Sequence, residues 1–173
     1  AGLGLLGMAI ALAAQDTLKN FFGSLTILMD QTFKRGDYIK TKDFEGHVEH
    51  LGFRTTTIRQ PDKAVVTVPN ARLVDAPLVN MTKMHCRRLE FTLPLSYDTS
   101  PDQIAKITSK ILTYIKTHPE FEVDPKKVNT VVHLDQLGDN SIQILCYFFT
   151  RTTKWVEYMA LKEEALLAFM KII

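Results

Sequence analysis

The 173-residue sequence has few of the features that mark enzymes, metalloproteins and nucleic-acid-binding proteins. No glycine-rich phosphate loop opens a β-α-β unit. No block of basic residues is interleaved with aromatic residues, and the formal net charge is only +2. The five histidines do not pair with cysteines or carboxylates at a metal-ligand spacing, and His85-Cys86 has no evident third group to orient it. We therefore expect no enzyme activity, no cofactor, no metal and no nucleic-acid partner. The histidines are His47, His50, His85, His118 and His133.

Cysteine is scarce as well. Cys86 and Cys146 are the two cysteines, and they lie far apart in the sequence. Cys146 falls within an apolar strand pattern, where a thiol usually packs as a small hydrophobic side chain. Both cysteines are predicted to be reduced, in keeping with the cytoplasmic side of a membrane.

The sequence also has no apolar run long enough to cross a membrane alone. The first 14 residues are uncharged, but as a helix they rise about 21 Å, against a hydrocarbon core of about 30 Å. They lack the basic start of a signal peptide. We expect that membrane helices precede this chain in the full-length protein.

As a helix, these first residues place a narrow apolar stripe between two flanks of small residues. At 100° per residue, Leu5, Met8 and Leu12 share the stripe with Ala1, and Gln15 lies just beyond it. Small flanks let helices approach closely in lipid, and a head-to-tail contact repeated by rotation closes a ring. Such a ring would direct the stripe at its axis as an apolar gate. A packed core helix is the alternative. The flanks are Gly4, Gly7, Ala11 and Ala14 on one side and Gly2, Ala9 and Ala13 on the other; Leu3, Leu6 and Ile10 form the back.

The spacing of apolar and polar residues over 16–30 predicts an amphipathic helix that lies along an interface. A straight helix would continue the stripe into Asp16 and Lys19. We therefore expect a bend with Gln15, Asp16 and Gly23 as hinge residues, and Asp16 as the cap of a second helix. The apolar face holds Leu18, Phe21, Phe22, Leu25, Leu28 and Met29, and the polar face holds Asp16, Lys19, Asn20, Gly23 and Asp30.

The pattern then changes to short β-rich runs, which predict a small barrel or curled sheet. Gly36, Gly46 and Pro69-Asn70 are expected at turns and bulges. The predicted strands are 38–41, 46–51, 54–59 and 64–68.

The last part of the chain predicts an α+β layer in the order strand, helix, strand, strand, helix. Alternating apolar residues from Leu89 to Leu95 predict the first strand. Ser100-Pro101-Asp102-Gln103 has the pattern of a capping box at the start of a helix. The sequence predicts a hairpin of two strands, Val128–Leu137 and Ile142–Phe149, around residues 138–141. It predicts a closing helix over residues 155–173. The helix after the capping box has an apolar stripe of Ile104, Ile107, Ile111, Leu112 and Ile115.

Four segments together resemble the MscS-type mechanosensitive channels. They are Gln15-Asp16-Thr17-Leu18-Lys19-Asn20 after the small-residue helix, Phe33-Lys34-Arg35-Gly36-Asp37-Tyr38-Ile39, the run from Gly46 to Thr56, and Val66-Thr67-Val68-Pro69-Asn70-Ala71. The resemblance covers nearly the whole chain. It implies an α+β membrane channel subunit with a pore-lining and an interfacial helix over 1–29, an Sm-like β domain over 30–86, and a ferredoxin-like vestibule domain over 87–173. The family's C-terminal barrel strand is not among these residues.

The resemblance implies a channel that membrane tension opens to release ions and small solutes on hypoosmotic shock. It implies a homo-oligomer, a heptamer, in the lipid bilayer of the inner membrane. The full-length protein would cross that membrane several times, with residues from about 30 onward in the cytoplasm. The gate would be lined by Leu5, Met8, Leu12 and Gln15.

Two positions depart from the family pattern and two match it. Asp16 stands where the family commonly has glycine, and Met8 and Leu12 stand where it often has two leucines. Asn20 and Asn70 match family asparagines and could link the helix to the β domain, directly or through water. The alternative for Asn70 is that it supports its own turn.

A ring-forming Sm-like scaffold that binds RNA or a protein is the second possible function. In that case residues 1–29 would serve as an anchor. Base stacking would need exposed aromatic side chains on the sheet, for which Tyr38, Phe44 and Phe53 are the candidates.

Overall fold

The computed structural model describes residues 2–173, with side chains from residue 4 onward. Ala1, predicted to lie beside the apolar stripe, falls outside the described residues, as do the surroundings of Gly2. The chain forms two compact units, of which the first ends at Lys83 and the second begins at Met84.

A long helix and a five-stranded antiparallel sheet make up the first unit. The elements are α1 (Gly2–Asp30), β1 (Tyr38–Lys40), β2 (Glu45–Leu51), β3 (Thr55–Arg59), β4 (Val65–Pro69), α2 (Asn70–Asp75) and β5 (Val79–Asn80), followed by a 3₁₀ turn, Met81–Lys83. The strand order is β4-β3-β2-β1-β5. The core beneath the sheet consists of Ile27, Phe33, Ile39, Val48, Ile58, Val68 and Leu73. The four strands predicted in this part are confirmed to within one residue at each end.

Two short elements of the first unit were not predicted. β5 spans two residues and pairs with β1. Pro69-Asn70 was predicted as a turn, but Pro69 is the N-cap residue of α2 and Asn70 opens that helix. A proline fits the start of a helix because the first N–H groups of a helix have no partner within it.

The predicted roles of two glycines have different outcomes. Gly36 has φ +92° and lies in the turn before β1, as predicted. The prediction of a turn or bulge at Gly46 is wrong: it pairs with Ile39 inside the sheet. A Cβ at Gly46 would lie 2.2 Å from the carbonyl oxygen of Arg59, so β3 passes too close for any side chain. The irregular pairing of β2 falls between Val48 and His50 instead.

α1 is one continuous α-helix of 29 residues, where we predicted two helices. Asp16 lies inside this helix, so the prediction that it caps a second helix is wrong. A hinge at Gln15, Asp16 or Gly23 stays a prediction. Among the helices of the described residues, none is both long enough and apolar enough to span a bilayer.

The second unit is an antiparallel sheet covered on one face by two helices. Its elements are β6 (Arg87–Leu95), α3 (Pro101–Thr117), β7 (Phe121–Glu122), β8 (Val131–Leu137), β9 (Ile142–Thr150) and α4 (Trp155–Ile172). β9 pairs with β6, β7 and β8. Every second residue of β9 is buried against α3 and α4, from Ile142 to Phe148.

Most of this unit follows the predicted pattern. The capping box is present, with Ser100 Oγ accepting from the Gln103 N–H and Gln103 Oε1 accepting from the Ser100 N–H. The hairpin turn closes through a 2.9 Å bond from the Gly138 N–H to the Ser141 carbonyl. β8 begins at Val131, three residues later than predicted, and the short strand β7 was not predicted.

Candidate functional site

The first half of α1 contacts little else in the described part of the chain. The three stripe residues have exposed fractions of 69% (Leu5), 59% (Met8) and 66% (Leu12), and Gln15 is also exposed. A Cβ added at Gly4 or Gly7 would meet nothing within 4 Å. The flanking alanines at 9, 11 and 13 are exposed as well. Leu5, Met8, Leu12 and the flank residues at 4, 7, 9, 11 and 13 are therefore exposed, and a role in the core of the described part of the chain is excluded for them.

The second half of α1 packs against the β domain through its polar face. Gly23, Ser24 and Ile27 are buried there. The opposite, apolar face stays exposed, and its members are Leu18, Phe21, Phe22, Leu25, Leu28 and Met29. These apolar side chains therefore share one exposed face of the helix, and that this face lies along an interface stays a prediction.

At Gly23, the backbone of α1 lies close to the backbone of α2. A Cβ at this position would lie 2.8 Å from the Ala71 nitrogen and 2.9 Å from the Asn70 carbonyl carbon. Both atoms belong to the backbone and have no freedom to move aside. Glycine is therefore required by packing at this position, whatever its part in bending the helix.

Asn20 caps α2 from α1. The N-cap residue Pro69 has no side chain that could accept a hydrogen bond, and α2 has no side-chain cap of its own. Asn20 Oδ1 accepts a 3.0 Å hydrogen bond from the Ala71 N–H in the first turn of α2. Asn20 Nδ2 donates to the Asp16 carbonyl at 2.9 Å, which fixes the orientation of the amide. A helix end without a local cap is thus satisfied by a side chain 51 residues earlier.

Asn70 is fully buried, with 0% of its side chain area exposed. Its Oδ1 accepts from Thr56 Oγ1 at 2.7 Å, and its Nδ2 donates to the Gly52 carbonyl at 2.8 Å. The same Gly52 carbonyl accepts a 2.9 Å bond from Ser24 Oγ of α1. The Gly52 oxygen therefore joins α1 to the amide that holds α2 against β3.

An ion pair adds to this junction. Lys19 Nζ of α1 lies 2.9 Å from Asp75 Oδ2 at the end of α2, and both side chains are 60% exposed. The hydrogen bond to Asp75 and the charge of that carboxylate raise the pKa of Lys19 above its ordinary value. Such an exposed pair contributes little to stability, but it fixes where the Lys19 charge lies.

The structure brings the two predicted coupling residues together without a bond between their side chains. Asn20 bonds to the backbone of Ala71, next in sequence to Asn70. Sequence reasoning missed Ser24, Gly52 and Thr56. The spacing of Asn20, Gly23, Ser24 and Ile27 repeats at three and four residues, so it did mark one helix face, but it gave no indication of the partners.

The other candidates lie in ordinary structural surroundings. Both cysteines are free thiols, as predicted, and burial raises the pKa of Cys146 to about 12. Of the aromatic residues proposed to stack bases, Phe53 is 67% exposed. Phe44 packs against the core, and Tyr38 is half-buried edge-on to His47.

Comparisons with known proteins agree with this architecture. Residues 16–83 match the family described as the mechanosensitive ion channel β-domain, and residues 89–173 match the C-terminal family of the mechanosensitive ion channel MscS. An MscS family protein of Aquifex aeolicus is 38% identical over 173 residues, which is 100% of this chain and 46% of the relative. The small-conductance mechanosensitive channel MscMJ of Methanocaldococcus jannaschii is 36% identical over 164 residues, which is 95% of this chain and 45% of the relative.

Solved structures show the same fold. The cryo-EM structure of Arabidopsis thaliana MSL1 matches with a TM-score of 0.88 at 26% sequence identity, over 98% of this chain and 60% of that one. The chain spans about half the length of the curated relatives it matches. The family consists of ion channels and not of enzymes, which confirms the prediction of a non-enzyme. With the helix, the β domain and the α+β unit all matched, the chain belongs to the MscS family of mechanosensitive ion channels.

Proposed function

We propose that this chain is the pore-lining and cytoplasmic part of a mechanosensitive channel subunit. Membrane tension opens the channel and releases ions and small solutes on hypoosmotic shock. The first half of α1 lines the pore, and residues from about 30 onward form a cytoplasmic vestibule with an Sm-like and a ferredoxin-like domain. The full-length protein is a homo-oligomer in the inner membrane, with seven subunits as the family resemblance implies.

The observation that carries this proposal is the exposed stripe of Leu5, Met8 and Leu12, flanked by Gly4 and Gly7, where an added Cβ would meet nothing within 4 Å. Apolar side chains left exposed along a helix need a partner or a function. Copies of the helix packed flank to flank place the stripe at the axis of a ring. A narrow apolar ring excludes a continuous water column and closes the pore by dewetting.

The junction at α2 supplies a route from the pore helix to the vestibule. Asn20 and Ser24 bond α1 to the first turn of α2 and to the Gly52 carbonyl. A tilt or slide of α1 must therefore move the β domain or break these bonds. Tension shifts the balance toward the state that occupies more membrane area, as in any equilibrium between two packings. The exposed apolar face of α1 gives the bilayer a surface on which to act.

Serine substitutions in the stripe test this function. Leu12→Ser and Met8→Ser place hydroxyl groups in the constriction and hydrate it. In patch-clamp recordings of the full-length protein, both variants should open at lower tension than the wild type, or leak. Leu6→Ser is the matched control, because it makes the same chemical change on the back of the helix. Its opening tension should stay near that of the wild type. Unchanged tension sensitivity in both stripe variants would exclude this stripe as the gate.

A further inference from the structure

Two charged residues continue the apolar stripe of α1. The helix runs without a break through Asp16 and Lys19. At 100° per residue, both side chains lie within about 40° of Leu12 around the helix. Asp16 is four residues beyond Leu12, a rise of about 6 Å. The apolar stripe is therefore followed, on the same side of the helix, by the charged residues Asp16 and Lys19.

Of the two charged residues, Lys19 already has a partner of opposite charge. Lys19 Nζ is held 2.9 Å from Asp75 Oδ2, at the end of α2. The Asp16 carboxylate is exposed and has no hydrogen bond or ion pair with any other residue that the structure describes. Its charge is the smallest of the influences on the pKa of Lys19, behind the hydrogen bond and the charge of Asp75. Each chain thus presents one unpaired negative charge at the inner end of the stripe.

We infer that Asp16 is a specificity-determining residue that makes the channel prefer cations over anions. This inference rests on the proposed function. Symmetry places one Asp16 carboxylate per subunit in a ring just below the Leu12 constriction. The rise of about 6 Å is shorter than the Debye length of about 8 Å at physiological salt, so the ring acts on ions inside the constriction. Rings of carboxylates give pores their preference for cations.

Reversal potentials test this assignment. The full-length channel is reconstituted in liposomes and opened by suction under asymmetric KCl. The wild type should reverse toward the K⁺ equilibrium potential. Asp16→Asn should shift the reversal potential toward zero, with the K⁺/Cl⁻ permeability ratio falling roughly threefold or more. Asp16→Glu should retain the wild-type ratio, which separates an effect of charge from an effect of shape.

Asp30→Asn is the matched control. It makes the same change on an exposed residue of the same helix, about 21 Å farther from the constriction and more than two Debye lengths away. Its permeability ratio should equal that of the wild type. Three results would overturn the inference. First, Asp16→Asn channels that open under tension with the wild-type K⁺/Cl⁻ permeability ratio would overturn the inference and leave the proposed function intact. Second, a wild-type channel that prefers Cl⁻ would overturn the inference but not the proposed function. A wild type with no tension-activated current would overturn the proposed function and this inference together.

Discussion

At the scale of single residues, Gly23 lies where the backbones of α1 and α2 pass close to each other. A Cβ there would lie 2.8 Å from the Ala71 nitrogen. Gly23→Ala should lower the free energy of unfolding by about 1–3 kcal/mol, because two helix backbones must separate. The higher helix propensity of alanine offsets at most about 1 kcal/mol of this loss. Urea denaturation of the purified chain measures the change.

Gly7→Ala is the control for that substitution. Gly7 lies in the same helix with nothing within 4 Å of an added Cβ. Its alanine variant should be as stable as the wild type or more so, since only helix propensity changes. Equal stability of the two variants would show that α1 does not pack against α2 as described.

Asn70 and Asn20 hold the start of α2 from different sides. The Asn70 side chain bonds to Gly52 and Thr56, and the Asn20 side chain bonds to the Ala71 N–H. Asn70→Ala removes one buried and one partly buried hydrogen bond and leaves Thr56 Oγ1 without its acceptor, which should lower the free energy of unfolding by about 2 kcal/mol or more. Asn20→Ala removes the cap of α2 and should lower it by about 1 kcal/mol. Both variants should alter channel closing or inactivation. Because Asn20 reaches the β domain through the Ala71 N–H, the double variant should resemble Asn70→Ala. Fully additive effects on closing would rule out this coupling.

The sequence indicated which residues matter at this junction but not how they are bonded. Asn20 and Asn70 were identified through a resemblance, and their partners are a backbone N–H, a carbonyl and a hydroxyl far away in sequence. Gly23 was assigned to a hinge because a straight helix would continue the apolar stripe into Asp16 and Lys19. Its role depends on a second backbone that the helix pattern cannot reveal.

At the scale of elements, the β2–β3 pair offers a test by pH. Arg59 makes two hydrogen bonds to Glu49, at 2.8 and 2.9 Å. The hydrogen bond from Arg59 lowers the pKa of Glu49 below its ordinary value of 4.5. A lowered pKa means that the pair stabilises the folded state above pH 4.5, and that this contribution is lost as the pH falls further.

Glu49→Gln should therefore be less stable than the wild type at pH 7, and the difference should shrink below pH 4.5. Denaturant unfolding at a series of pH values measures it. Glu45→Gln is the control on the same strand, because Glu45 meets Lys40 through one contact of 3.1 Å. Its difference from the wild type should be smaller. A Glu49→Gln deficit that is constant with pH would contradict the assigned ion pair.

Elements that are stabilised by contacts between residues close in sequence were predicted well. Elements that depend on contacts with residues distant in sequence were not. The capping box of α3 and the turn of the β8–β9 hairpin need only neighbouring residues. α2 has six residues, too few to form alone, and takes its cap from Asn20. The expected break in α1 assumed that Lys19 could not continue the stripe. Asp75, which meets Lys19 in the folded chain, was not visible in the helix pattern.

At the scale of the whole molecule, the proposed ring depends on contact between the small flanks of neighbouring helices. Gly7→Leu should separate those helices and impair assembly or gating, because Gly7 and Gly4 leave room for a neighbour. Leu6→Met on the back of the helix should be mild, since it conserves volume. Native mass spectrometry of the full-length protein in detergent measures assembly. Equal damage at both positions would mean that the helix faces the ring in another orientation.

Under the proposed function, membrane tension opens a pore lined by α1. The most direct measurement is a pressure-clamp recording of the purified full-length protein in liposomes of pure phospholipid, with no other protein present. We predict discrete conductance steps that are absent at rest, appear with suction and disappear when the suction is released. A full-length protein that reconstitutes as an intact oligomer and conducts no current up to the tension at which the membrane ruptures would contradict the account.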